Sequence, residues 1–128
     1  MKLILYKANL IEVTMDQADL FKANLYGAEL YHANLSGTNF TNAILNNAKL
    51  NGADLVTAIL MEADLTNANL TDSKLNKTLL TNANLTGVKL TGNKLVEVKW
   101  AGIKLTGADL NRVKMYHADL TNTKLEDA

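Results

Sequence analysis

The side chains in this chain that could do chemistry are two histidines, His32 and His117, and thirteen carboxylates; there is no cysteine to act as nucleophile, thiolate ligand or disulfide partner. Acid–base or metal chemistry needs such groups converging within hydrogen-bond reach in a concave pocket. Their spacing argues against that. The histidines stand far apart, the carboxylates occur singly, and the seven glycines (27, 37, 52, 87, 92, 102, 107) are dispersed rather than gathered into a phosphate-cradling loop. We expect no enzyme, no bound cofactor and no metal site.

Binding chemistry is the alternative. Residues 1–72 carry four Lys against eight acids, a formal −4, while residues 73–128 carry eight Lys plus Arg112 against five acids, a formal +4. Lys74, Lys94 and Lys114 recur at a spacing of twenty, and so do Lys104 and Lys124. A basic stripe of this kind can hold anions or nucleic acid. Zero net charge and the lack of aromatics interleaved with these lysines favour a solvated face, with no nucleic-acid partner. A different candidate is apolar: Ile44, Ile59, Met61 and Leu79 fall in slots that elsewhere hold polar side chains, and such a cluster can mark a protein-partner surface. Tyr6, Ile11, Phe21, Tyr26 and Tyr31 form a second outward set near the N-terminus.

What positions these groups is a five-residue clock. Every fifth residue from Leu5 to Leu125 is Leu, except Met15, Phe40, Trp100 and Met115, and a small residue, usually Ala, stands two before it. A helix turns roughly 100° per residue, so leucines at this step would spiral around it and leave no apolar face. In a flat strand, residues five apart point to opposite sides. The pattern buries its leucines only if the backbone bends every five residues, which is a solenoid. Side chains alternate along a short extended segment. The Leu and the Ala therefore face inward, and the Asn, Asp or Lys between them faces outward.

The remaining two positions must form corners. All seven glycines, with Asn42, Asn47, Asn67, Asn82 and Asn122, sit two after the clock residue. There a type II turn needs positive φ, which Gly and Asn tolerate best. At Glu12, Thr57, Glu62 and Glu97 in that slot the expectation is a turn of another type, such as type I, and positive φ there would count against the corner assignment. His32 and His117 occupy the same slot and read as surface corner residues. The segment 11–17 keeps its inward pair, Val13 and Met15, but departs otherwise, so the first coil is expected to be irregular. Asn93 falls at an inward position and is expected to hydrogen-bond turn backbone.

The tandem A-[D/N]-L-x-x string is seen at Ala18-Asp19-Leu20, Ala23-Asn24-Leu25, Ala53-Asp54-Leu55, Ala63-Asp64-Leu65 and Ala108-Asp109-Leu110, among others. It resembles the pentapeptide repeat family over essentially the whole chain. The resemblance implies an all-β fold, a right-handed quadrilateral β-helix of about six coils forming a single domain over residues 1–128, four pentapeptides per coil. The residues do not choose the number of sides by themselves, since Lys74, Lys89 and Lys104 align at fifteen as well as others do at twenty. If the coil is four-sided, Ile59 and Leu79 stack directly, Met61 sits beside them and Ile44 lies near the adjoining corner, while Lys89 and Lys99 come over Asp109 and Asp119.

For function, the smooth filled rod and small apolar cluster read as a non-enzymatic scaffold or protein-binding module of unknown partner. The resemblance supplies the competitor, a duplex-DNA mimic that binds DNA gyrase or topoisomerase in the manner of quinolone-resistance proteins. That role uses a long acidic rod, whereas this chain is short and neutral. Unpaired strand edges at the coil ends suggest self-association through a solenoid end. No stretch approaches membrane-spanning length and the first apolar run is too short for a signal peptide, so a soluble cytoplasmic protein is expected.

Overall fold

The computed structural model describes residues 2–128. Its inward side chains are those the clock selects: Ala23, Leu25, Ala28, Leu30, Ala33, Leu35 and their successors through Leu105 are buried along one continuous core. Phe40 and Trp100 take leucine positions in that core with no exposed surface.

Parallel bridges connect each outward residue to the one twenty positions on: Asn24 to Ile44, Ile44 to Asp64, Asp64 to Asn84, Asn84 to Lys104. Lys89 pairs with Asn69 and Asp109, which excludes the fifteen-residue alternative. Twenty residues per turn of the solenoid means four pentapeptides, one per side. Among the described residues most sides contribute a single bridging residue, and only two short strands are continuous, β1 (Lys94–Val96) and β2 (Lys114–Tyr116), paired in parallel.

Among the described residues every corner except those after Leu95 and Met115 closes with an amide donating back to the clock residue's carbonyl, as in Ala28 N to Leu25 O at 3.0 Å. The second corner residue has positive φ all along the chain, in glycines and non-glycines alike. This corrects one expectation. Glu12, Thr57, Glu62 and Glu97 have φ of 56°, 58°, 56° and 55°, so the turn does not change type with the side chain. The corners lie where the spacing put them, but residue preference does not select their conformation. The cause is the ladder: the amide of the same residue must reach the next coil, as Glu12 N does to Tyr31 O (2.8 Å) and Thr57 N to Asn76 O (3.0 Å). Turning that amide away would cost a hydrogen bond. Arg112, Asn122 and Asp127, which have no coil above them, still hold φ of 55–58°, so the close of the turn itself also keeps the corner left-handed.

The outward Asn and Asp side chains have a local task. Asn24, Asn34, Asn39, Asp54, Asp64, Asn69, Asn84, Asp109 and Asp119 each accept a hydrogen bond from the backbone N–H two residues on, at 3.0–3.2 Å. An Asx side chain thus braces these corners as they begin. Lysines in this slot cannot do so.

The first coil is regular, contrary to expectation: Glu12 and Met15 donate to Tyr31 and Asn34 in the ordinary ladder. Val13 and Met15 pack on the core, and that is enough to hold the register. Inward polar residues donate to the coil below. Thr38 Oγ1 donates to Met15 O (2.7 Å), Thr78 Oγ1 to Leu55 O (2.9 Å) and Asn93 Nδ2 to Leu70 O (2.9 Å), the last as anticipated from sequence.

Candidate partner-binding surface

Three groups of side chains compete as functional surface. The first is the apolar cluster. Ile59 and Leu79 are bridged partners on one side, in a column that otherwise reads Asp19, Asn39, Lys99 and Asp119. Met61 stands at the next corner, and Ile44 lies on the adjoining side between Asn24 and Asp64. All four are half-buried, so their neighbours cover part of each.

The second is the N-terminal aromatic set, which is more open. Tyr6, Ile11, Phe21 and Tyr26 are exposed, and Tyr31 is half-buried. Tyr6 and Tyr26 stack across the coil step with ring centres 5.4 Å apart and planes 10° apart. Lys7, Lys22 and Lys49 lie 5.3, 5.0 and 5.8 Å from the ring centres of Tyr6, Phe21 and Tyr31. Ile4 and Tyr116, which sequence reasoning passed over, are also exposed. Ile4 was legible as an apolar residue in an outward slot.

The third is the lysine column. Lys74, Lys94 and Lys114 do align on one side, as the spacing of twenty required. Lys74 pairs with Asp54 at 3.2 Å. Lys89 and Lys99 come into register with Asp109 and Asp119, yet among the described residues no ion pair closes there. Those carboxylates are already held locally. The Asn111 backbone amide and the Thr91 hydroxyl keep the Asp109 pKa low, and the Thr121 hydroxyl and amide do the same for Asp119. At Asp64 partial burial pushes upward, but Thr66 and Asn46 outweigh it and the carboxyl is lowered. Lys49 is raised by Glu29, its partner at 2.7 Å. Every one of these shifts favours the charged form, the reverse of what poises a general acid or base near neutrality.

His32 and His117 are exposed corner residues on different corner columns and are not brought together. Among the described residues no cluster of His, Asp and Glu could hold a metal ion. The surface depressions are shallow; one of about 520 Å³ is bounded by Lys2, Phe21, Lys22 and Asn42.

Against this geometry, the family model for pentapeptide repeats (8 copies) matches residues 4–41, 23–60, 63–99 and 94–127. The chain belongs to the pentapeptide repeat family. Solved pentapeptide-repeat structures resemble it along most of its length. HetL, involved in heterocyst differentiation regulation in the cyanobacterium Nostoc sp. strain PCC 7120, is 26% identical over 98% of this chain and 73% of its own, with a TM-score of 0.53. Rfr23 from the cyanobacterium Cyanothece 51142 is 36% identical over 83% of this chain and 63% of its own, with a TM-score of 0.57. QnrB1, a plasmid-mediated fluoroquinolone resistance protein, superposes with a TM-score of 0.75 over 94% of this chain and 66% of its own, and its 19% identity speaks for the fold alone. This pentapeptide-repeat chain thus spans 63% of Rfr23 and 66% of QnrB1. No match was found among curated proteins. The pentapeptide-repeat fold is a right-handed quadrilateral β-helix, here of about six coils.

Proposed function

We propose that this pentapeptide-repeat protein is a non-enzymatic, cytoplasmic scaffold that binds a protein partner through the side bearing Ile59 and Leu79, with Met61 and Ile44 at its margin. One observation carries the reading: two large apolar side chains are bridged to each other in a column of otherwise polar residues. The family's members are generally structural or binding modules. A filled core leaves the outer walls as the working surface. Burial of two such side chains by a partner contributes on the order of 1.5–3 kcal/mol each if complete, and less here because each is already partly covered.

The competing reading is mimicry of duplex DNA at a topoisomerase. The superposition with QnrB1 favours it only at the level of fold, and the +4 formal charge of residues 73–128 opposes it.

The test is affinity capture with the intact rod and with Ile59→Lys/Leu79→Lys, each shown by circular dichroism to be folded. Loss of a specific partner in the double variant supports the scaffold reading, and identical capture by both removes this side from consideration. In parallel, inhibition of gyrase supercoiling by the intact rod would favour mimicry.

A further inference from the structure

We propose that this chain opens as two cooperative units, with residues from about 93 onward separating before the preceding coils, and that the joint is built by Ser73 and Asn93. The backbone ladder shows where. From Leu5 to Leu70, each clock residue donates to the next coil without interruption, ending with Leu70 N to Lys89 O at 2.8 Å. Among the described residues, three successive bonds of the same pattern are then not made: Asp72 N to Thr91 O, Lys94 N to Ser73 O, and Leu75 N to Lys94 O. The ladder resumes at Lys77 N to Val96 O, 2.9 Å. A notch of about 300 Å³, lined by Asp72, Ser73, Lys74, Asn76, Gly92, Asn93 and Lys94, occupies the gap.

A second mark agrees. At other corners the side chain one coil below presses against the glycine: the Asn67 and Asn82 Oδ1 atoms lie close over Gly87 and Gly102. Asp72 Oδ1 stands 4.0 Å from the equivalent point at Gly92, whose φ of 75° is the largest in the chain.

The physical cause is the pair of inward residues. Where the repeat asks for Ala, Ser73 and Asn93 stack one coil apart, both buried. Asn93 Nδ2 reaches down to Leu70 O at 2.9 Å and to Ser73 Oγ at 3.3 Å. Its Oδ1 has no partner, which costs about 1–3 kcal/mol in a buried site. Polarity, not bulk, sets this stack apart: Thr78 and Val98 also stack one coil apart, yet Leu80 N to Lys99 O and Lys99 N to Thr78 O are made.

Beyond the joint the coils are weaker in three further respects. Trp100 fills a leucine slot with its Nε1 buried and unpartnered. The corners after Leu95 and Met115 lack the amide-to-carbonyl bond that closes the others. Lysines replace the Asx braces at positions 94, 99, 104, 114 and 124. In a solenoid each coil is stabilised only by its neighbours, so one weak interface divides the cooperative unit.

Trp100 is the sole tryptophan and lies inside the weaker unit. Urea unfolding followed by its emission should therefore precede unfolding followed by far-UV circular dichroism. Hydrogen exchange should show residues 93–128 losing protection while 5–70 retain it. Ser73→Ala/Asn93→Ala, which restores the repeat, should raise the Trp100 midpoint towards the circular-dichroism midpoint, and Ser73→Ala alone should move it part of the way. Coincident transitions with uniform protection would overturn the proposal. An early Trp100 transition that neither variant moves would also overturn it, since the loss would then be ordinary fraying and not a property of the joint.

Discussion

Lys94 stands directly opposite Lys114 in parallel register, and among the described residues neither ammonium has a carboxylate within ion-pair distance. Facing like charges on neighbouring strands are destabilising. Lys114→Asp should remove that repulsion, supply an ion-pair partner for Lys94 and give the corner the Asx brace that Asp54 and Asp64 provide elsewhere. We expect a gain of about 1 kcal/mol in urea unfolding. A loss of stability would show that the lysine column is not a source of strain.

Thr57 is a β-branched residue at φ 58°. A left-handed conformation costs an ordinary residue roughly 1–2 kcal/mol, and Asn tolerates it best after Gly. Thr57→Asn should stabilise the rod by up to about 1 kcal/mol. The gain is reduced by loss of the Thr57 Oγ1 to Val56 O bond of 2.6 Å. Denaturant midpoints of the variant and parent decide the matter.

Gly52 is the opposite case. Its φ is 67°, and the His32 ring lies where a β-carbon would go. Gly52→Ala should destabilise by more than the usual strain of that conformation, and pairing it with His32→Ala should recover the steric part. A thermal-melt double-mutant cycle with no coupling between the two would contradict the contact.

Trp100 carries an unpartnered buried Nε1. Trp100→Leu restores the repeat, so we expect a change within about 1 kcal/mol, against the 3–5 kcal/mol typical when a well-fitted large aromatic is truncated. Circular dichroism supplies the readout once the tryptophan is gone. A large destabilisation would mean that the coil fits Trp100 well.

Acid should weaken the fold in a defined direction. Asp64, Asp109 and Asp119 have pKa values below the ordinary carboxylate range when folded. A lowered folded pKa adds stability above the unfolded pKa, which is lost as pH falls through the folded value. The melting temperature should therefore be flat near neutrality and decline once pH drops below about 4. Asp64→Asn should shrink that decline, and an unchanged pH profile would show that the Asn46 and Thr66 hydrogen bonds, 2.8 and 2.6 Å in this structure, contribute little.

Sequence by itself determined the local unit: which side chain of each pentad turns inward, where the corners fall, and that Asn93 hydrogen-bonds turn backbone. These follow from side-chain alternation and burial within a few residues, and they are read from Leu25, Ala23 and Gly27 without reference to the rest of the chain. Tertiary structure alone decided how many units close a coil, because Asn24 meets Ile44 only through backbone bonds between residues twenty apart. The same bonds override local preference at Glu12, Thr57, Glu62 and Glu97, holding them left-handed where their side chains would choose otherwise. Stacking also set the surface. It put Ile59 against Leu79 and half-covered both, and it turned two small departures from the repeat, Ser73 and Asn93, into a gap in the wall. Neither effect exists within a single pentad, since each arises from what lies one coil above or below.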